Sequence, residues 1–129
     1  MIKETLYEEL AVIPGASGGT VYGDAYAIAG DIDIQAMAVY LYAKNNAGSS
    51  PTLDVTLEYS WDNATWVATT FAFTQVTTST NSNEVKLFST AAYGPYLRVK
   101  VVVGGTSSPS YDITVKVLCM DGNGMWAVA

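Results

Sequence analysis

The chain contains no histidine and a single cysteine, and these scarcities limit the chemistry it can perform. Histidine is the usual general base near neutral pH, the central member of Ser-His-Asp and Cys-His arrangements, and a common zinc ligand. Cys119 has no partner for a disulfide within the chain, and its apolar, strand-like surroundings favour a buried and unreactive thiol. The sequence therefore predicts a protein without enzymatic activity, metal or other cofactor.

Basic residues and long apolar runs are also scarce. Six Lys and Arg residues stand against twelve Asp and Glu, a net charge of −6, so a basic face for a phosphate backbone is difficult to assemble. The acidic N-terminus has no apolar signal-peptide core, and no apolar run approaches the roughly 18 residues of a transmembrane helix. We expect synthesis in the cytoplasm and neither a nucleic-acid nor a membrane partner.

Alternation of apolar and polar residues dominates the sequence and is typical of half-buried β-strands. It predicts an all-β, antiparallel β-sandwich of about eight strands in one domain spanning residues 1–129. Turn residues predict loops at Asn45–Pro51, Thr77–Asn83 and Gly104–Pro109 and a hairpin turn at Asp62–Ala64, and a short helix at Glu4–Leu10 is disfavoured against a strand. The predicted strands are Leu6–Ile13, Val21–Ala29, Ile32–Lys44, Leu53–Ser60, Trp66–Val76, Glu84–Ser89, Tyr96–Val103 and Ser110–Met120.

Two segments carry more apolar surface than a sandwich strand needs. In Tyr96–Val103 one row is apolar and the other polar, as expected for a sheet with one wet face. In Ile32–Lys44 the row from Ile32 to Tyr42 is assigned to the core, which leaves a second apolar row of Met37, Val39 and Leu41. This second row requires either cover by the N-terminal segment or contact with another subunit.

The C-terminal segment raises the same question, because Met125, Trp126 and Val128 are apolar and follow the glycines of Gly122–Gly124. Apolar surface of this kind usually marks an interface. We therefore predict that residues 1–20 and 121–129 are arms used in assembly, and that the chain forms a homo-oligomer.

Carboxylates are the remaining candidates for catalysis or metal binding. Asp31 and Asp33 share a strand face, with Asp24 nearby, and could form an acid/base pair or bind calcium. The spacing lacks the dense oxygen ligands of a calcium loop, so capping and solvation are the favoured roles. Asp121–Gly124 resembles the start of an EF-hand loop, but no bidentate glutamate follows, which favours a turn. No catalytic or metal-binding residue is predicted.

The segment Ser60-Trp61-Asp62-Asn63-Ala64-Thr65-Trp66 resembles the Asp-box hairpin, Ser-x-Asp-x-Gly-x-Thr-Trp, of sialidase-like and carbohydrate-binding β proteins. It is one residue shorter and has Ala64 at the glycine position. Tyr59, Trp61 and Trp66 could stack on a sugar ring, although aromatic residues are equally common in strands and at protein interfaces. Packing in the core or at an interface is the favoured role, with carbohydrate or receptor binding as the alternative.

A wider pattern combines Glu58-Tyr59-Ser60-x-Asp62-x-x-x-Trp66, the pair Phe71 and Phe73, a Thr/Ser/Asn loop, Gly94–Val101 and the closing strand Tyr111–Val117. This order resembles small virion structural proteins of tailed bacteriophages, over roughly residues 30 to 120. The resemblance implies a jelly-roll-like sandwich that decorates or cements a capsid, commonly as a trimer bound to the major capsid protein or other virion proteins. It implies a location in the virion and no catalytic residues.

Overall fold

The computed structural model describes residues 7–27, 34–77, 81–89 and 95–121. The regular secondary structure in these ranges consists of β-strands joined by turns. Two strands are far longer than the five or six residues typical of globular proteins. The strands are β1 (Tyr7–Ser17), β2 (Gly19–Tyr22), β3 (Tyr26–Ala27), β4 (Ile34–Ser60), β5 (Val67–Ala72), β6 (Ser82–Ser89) and β7 (Tyr96–Asp121).

The long strands β4 and β7 pair antiparallel along nearly their whole length and organise the fold. On the free edge of β7, β1 pairs with residues 110–118, β2 with 100–103 and β3 with 96–97. On the free edge of β4, β6 pairs with residues 36–43 and β5 with 56–59. Each half of the long pair therefore forms the centre of a layer four strands wide, and in one layer β2 and β3 follow each other along the same edge. The first sheet has the order β1-β7-β4-β6, and the second has β2 and β3, then β7, β4 and β5.

Both long strands bend at matching Ser-Ser-Pro segments where the register between them shifts. Gly48, with φ of 110°, packs against Pro109, and Gly105, with φ of 116°, packs against Pro51. A Cβ on either glycine would lie 2.7 Å from the backbone of the opposite strand. The predicted loops at Asn45–Pro51 and Gly104–Pro109 are therefore wrong as loops, because turn-forming residues here bend strands that remain paired.

The Asp112 side chain of β7 connects three strands at one exposed edge of this bend. Its Oδ1 accepts hydrogen bonds from the Gly15 amide and from Asn46 Nδ2, both at 2.8 Å. These two hydrogen bonds hold the pKa of the Asp112 carboxyl below its usual value. One carboxylate thus joins β1, β4 and β7 where the register is irregular.

The two sheets pack face to face over one apolar core. Across the core, the rings of Phe71 in β5 and Phe88 in β6 meet edge to face with centroids 5.4 Å apart. Near the opposite edge, a Cβ on Gly23 would lie 2.9 Å from Cβ of Ala11 and 3.5 Å from Cβ of Val99. A long antiparallel pair that bends and takes part in both facing sheets is typical of a jelly-roll sandwich. The predicted fold class is confirmed, with two strands serving in both sheets in place of four separate ones.

The structure reverses the predicted orientation of the first half of β4. Met37, Val39 and Leu41 are almost completely buried within the chain's own core, whereas Tyr40 and Tyr42 lie half-buried on the outside. The prediction that Met37, Val39 and Leu41 form an interface is therefore wrong. Both rows of this stretch are apolar, so the alternation alone left either row free to face the core. Tyr40 and Tyr42 suit the outer side because their hydroxyl groups can form hydrogen bonds there, whereas the wholly apolar Met37, Val39 and Leu41 suit the core.

Other local predictions are confirmed. Leu97, Val99, Val101 and Val103 face the core, and the residues between them face outward. The hairpin that joins Leu53–Ser60 to Trp66–Val76 is present as the β4–β5 pair. The prediction that residues 1–20 form an arm is wrong for residues 7–17 and 19–20, because these residues form β1 and the start of β2 within the sandwich. No helix of membrane-spanning length and apolarity occurs in the described ranges.

Candidate functional site

The acidic residues considered for catalysis are not brought together in the described part of the chain. Asp24 is exposed between β2 and β3. Asp31 and Asp33 lie outside the described residues, as do Gly122–Gly124, and the side chain of Cys119 is also not described. Among the residues that are described, no group of three His, Cys, Asp or Glu side chains is arranged to hold a metal ion.

The turn between β4 and β5, residues 60–66, is organised by the Asp62 carboxylate. Its Oδ1 accepts hydrogen bonds from the amides of Ala64 at 2.9 Å and Thr65 at 2.7 Å, and from Ser60 Oγ at 3.0 Å. Asn63 adopts the left-handed conformation, with φ of 58°, that asparagine tolerates in turns. The hydrogen bonds stabilise the ionised carboxylate and lower the pKa of Asp62 to about 2. The Asp-box-like segment therefore forms a well-defined turn without the glycine that the motif normally has.

Trp61 projects from this turn with 72% of its surface exposed. Beside it is a pocket of about 230 Å³ whose lining combines aromatic, aliphatic and polar side chains. Tyr59, half-buried against the core, forms part of the lining. Tyr59 and Trp61 are thus brought to one concave site, as the sugar-stacking alternative required. The pocket is lined by Tyr59, Ser60, Trp61, Asp62, Thr65 and Val67.

Trp66, the third aromatic residue of the predicted cluster, has a different role. The guanidinium of Arg98 lies 4.5 Å from the Trp66 ring centroid and 3.8 Å from that of Tyr22. Arg98 also pairs with Glu58, and its Nη2 and Nε atoms both lie 2.8 Å from Glu58 Oε1. Arg98 is therefore held between two rings and a carboxylate on the outside of the second sheet. Trp66 stabilises this stack and does not line the Trp61 pocket.

A second candidate surface is the outside of the first sheet. Val85 and Leu87 of β6 are 62% and 70% exposed, and Val12 of β1, on the opposite edge, is 56% exposed. Half-buried residues of β4 and β7 connect these edges, because Leu87 lies opposite Ala38 and Ala38 opposite Leu118. We call this surface the outer apolar face; it comprises Val12, Ala38, Tyr40, Tyr42, Val85, Leu87 and Leu118, with Lys116 among them.

Sequence reasoning missed this face because it assigned the outward row of β4 to the core. A signal was present in Val85-Lys86-Leu87-Phe88, where apolar residues occupy both rows of one short strand. The structure places Phe88 in the core, so Val85 and Leu87 must face outward. Apolar surface that extends across a sheet in this way is unusual on a soluble monomer and commonly marks an interface.

Comparison with known proteins finds no matching family model and no matching curated protein. Solved structures do share the fold. The crystal structure of the PBSX exported protein XepA matches with a TM-score of 0.59 and 16% identity, covering 87% of this chain and 36% of that one. The infectious bursal disease virus VP2 subviral particle matches with a TM-score of 0.55 and 15% identity over 93% of this chain and 33% of VP2.

The cryo-EM structure of Broad Bean Stain Virus matches with a TM-score of 0.53 and 9% identity, covering 100% of this chain and 90% of that chain. The chain spans about a third of the length of the first two proteins. At these identities the comparisons establish a shared fold, and two of the three structures are of virus particles or subviral particles.

Proposed function

We propose that the chain is a non-enzymatic structural protein of a virus particle, of the type that decorates and stabilises a tailed-bacteriophage capsid. The outer apolar face is the observation that carries this proposal, because it places exposed or half-buried apolar side chains of four strands on one side of a chain that is otherwise acidic. Two copies of a protein with a net charge of −6 repel each other least where they meet through apolar side chains. The jelly-roll fold, which is shared with structures of virus particles, supports the same role.

The mechanism is binding by burial of apolar area. A standard protein interface covers about 800 Å² on each partner, and each Å² of apolar area contributes roughly 25 cal/mol. The gross gain of some tens of kcal/mol is offset in large part by the entropy of association, so a single contact is of moderate strength. A repeating shell presents many equivalent contacts, and the avidity of many copies then gives stable attachment.

Several finer features belong to this proposal. The chain acts as a homo-oligomer, with a trimer favoured, and its partners are the major capsid protein or other virion proteins. Residues 121–129, including Met125, Trp126 and Val128, supply an additional arm to these contacts; Gly122–Ala129 lie outside the described residues. The N-terminal contribution is restricted to residues 1–6, since β1 begins at Tyr7.

Sedimentation velocity over a range of protein concentrations tests the proposal through self-association. We expect the unmodified chain to associate as its concentration rises, and Leu87→Asp to remain monomeric because it places a charge within the outer apolar face. Val67→Asp is the control, since Val67, like Leu87, is an exposed apolar strand residue but lies on β5 of the second sheet. A chain that stays monomeric throughout, or that associates equally well with Leu87→Asp, would contradict the proposed use of this face.

A further inference from the structure

We propose that the pocket beside Trp61 is a binding site for a neutral pyranose sugar, such as the terminal residue of a surface glycan. This inference is independent of the outer apolar face, which lies on the first sheet. The pocket lies at the turn between β4 and β5 of the second sheet, so both activities are compatible in one molecule.

The exposure of Trp61 is the first argument. A tryptophan side chain is large and usually well buried, and here it stands in water next to a concavity that its own ring helps to form. The flat ring presents an apolar surface of the kind that packs against the C–H face of a pyranose. Its indole N–H adds a hydrogen-bond donor at the rim of the same surface.

The chemistry of the lining is the second argument. Tyr59 and Val67 continue the apolar surface of Trp61 into the pocket, while Ser60, Asp62 and Thr65 bring oxygen atoms to it. A sugar presents an apolar face and a rim of hydroxyl groups, so it needs both kinds of partner in one small site. The Asp62 carboxylate also accepts hydrogen bonds from the Ser60 and Thr65 side chains, which holds these oxygen atoms in place at the pocket.

The rigidity of the turn is the third argument. The hydrogen bonds from Ser60, Ala64 and Thr65 to one carboxylate oxygen fix the backbone on both sides of Asp62. Ser60 itself is almost completely buried at the base of the turn. A preorganised site loses little conformational entropy when it binds, and this matters most for a ligand as small as a single sugar.

Size and charge define the class of ligand. The pocket volume of about 230 Å³ lies below the roughly 300 to 1,000 Å³ of sites for drug-sized ligands. A pocket of this size can hold one sugar ring but not a long oligosaccharide. Asp62, with a pKa of about 2, is negatively charged at any physiological pH. A fixed negative charge beside the ring disfavours acidic sugars such as sialic acid, so neutral hexoses and N-acetylhexosamines are the expected ligands.

Titration with methyl glycosides of glucose, galactose, mannose, N-acetylglucosamine and N-acetylgalactosamine, followed by amide chemical shifts in NMR, tests the site. Sialyllactose serves as the acidic probe. We expect at least one neutral glycoside to shift the resonances of residues 59–67 in a saturable manner. Sialyllactose is expected to cause no larger shift than lactose, its neutral part, at the same concentration.

Three variants separate sugar binding from general effects on the turn. Trp61→Leu keeps an apolar side chain but removes the ring, and we expect it to weaken binding roughly tenfold. Trp61→Phe keeps a smaller ring and should retain part of the affinity. Gly18→Ala, which lies outside the pocket lining and where a Cβ meets no atom within 4 Å, should bind the sugar as the unmodified chain does. Because Trp61 is exposed, none of these changes should prevent folding.

Several results would overturn the proposal. One is the absence of any saturable response to all the neutral glycosides in a chain whose NMR spectrum shows it folded. Another is a response that survives undiminished in Trp61→Leu, which would place the ligand elsewhere. A preference for sialyllactose over every neutral probe would contradict the predicted effect of Asp62. None of these results bears on self-association through the outer apolar face.

Discussion

The orientation of β4 can be tested with two leucine-to-alanine substitutions that differ mainly in burial. Leu41 is 2% exposed and lies in the core, whereas Leu87 is 70% exposed on the outer apolar face. Removing a buried leucine side chain costs about 2 to 5 kcal/mol, because transfer free energy is lost and a cavity remains. The same change at an exposed position alters stability by about 0.5 kcal/mol or less. Leu41→Ala should therefore be strongly destabilising and Leu87→Ala nearly neutral.

Urea denaturation followed by tryptophan fluorescence, at a concentration low enough to keep the chain monomeric, measures this difference. With a slope of about 1.5 kcal/mol per M, Leu41→Ala should lower the unfolding midpoint by roughly 1 to 3 M. Leu87→Ala should leave the midpoint almost unchanged at low concentration. At concentrations where the chain associates, Leu87→Ala should weaken the rise of the unfolding midpoint with protein concentration. Equal effects of the two variants, or loss of association in Leu41→Ala without loss of stability, would refute the assignment of Leu41 to the core.

Two further predictions concern the bend and the Trp61 turn. Gly48→Ala should destabilise the fold by about 2 to 4 kcal/mol, because a Cβ at φ of 110° is strained and would lie 2.7 Å from Pro109 Cα. Gly18→Ala, where a Cβ meets no atom within 4 Å, is the control for the same urea assay, and equal costs would contradict the proposed packing. For Asp62, the folded-state pKa of about 2 lies below the ordinary value of 3.8, so its stabilising effect is complete above about pH 4 and is lost as the pH falls towards 2. The difference in unfolding midpoint between the unmodified chain and Asp62→Asn should shrink over this range, and a constant difference would argue against the carboxylate hydrogen bonds.

Much of the fold was predictable because strand formation depends on local alternation. The row of Leu97, Val99, Val101 and Val103 was assigned correctly to the core. The alternate row begins with Tyr96, Arg98 and Lys100, which favour the solvent side. The hairpin between β4 and β5 was also predictable, because Asp62 and Asn63 are turn residues between two alternating runs. Where local chemistry has a single structural solution, sequence reasoning succeeded.

The failures arose where two structures satisfy the same local chemistry. Glycine, serine and proline at residues 48–51 and 105–109 are suited to a loop and equally to a bend in a paired strand, and the pairing partner lies about 60 residues away in the chain. In β4, Tyr40 and Leu41 are both apolar enough for the core. Packing against the second sheet, which the sequence does not show, placed Leu41 inside and Tyr40 outside.

The candidate site shows the same division. The exposed turn with Asp62 and two tryptophans was identified in the sequence, because its residues are neighbours in the chain. The separation of Trp66 from Trp61 was not predictable. It depends on Arg98 and Tyr22, which reach Trp66 from β7 and β2. The outer apolar face likewise combines residues from β1, β4, β6 and β7.

The amino-acid sequence by itself determined that this protein is built of antiparallel strands, that it lacks histidine chemistry, and that the Ser60–Trp66 segment is a turn. These properties follow from composition and from the two-residue periodicity of a strand, which act over a few neighbouring positions. The tertiary structure alone decided which rows of side chains became core and which became surface. That choice depends on which distant strand packs against each face, and an alternating pattern specifies two faces without specifying which one is covered.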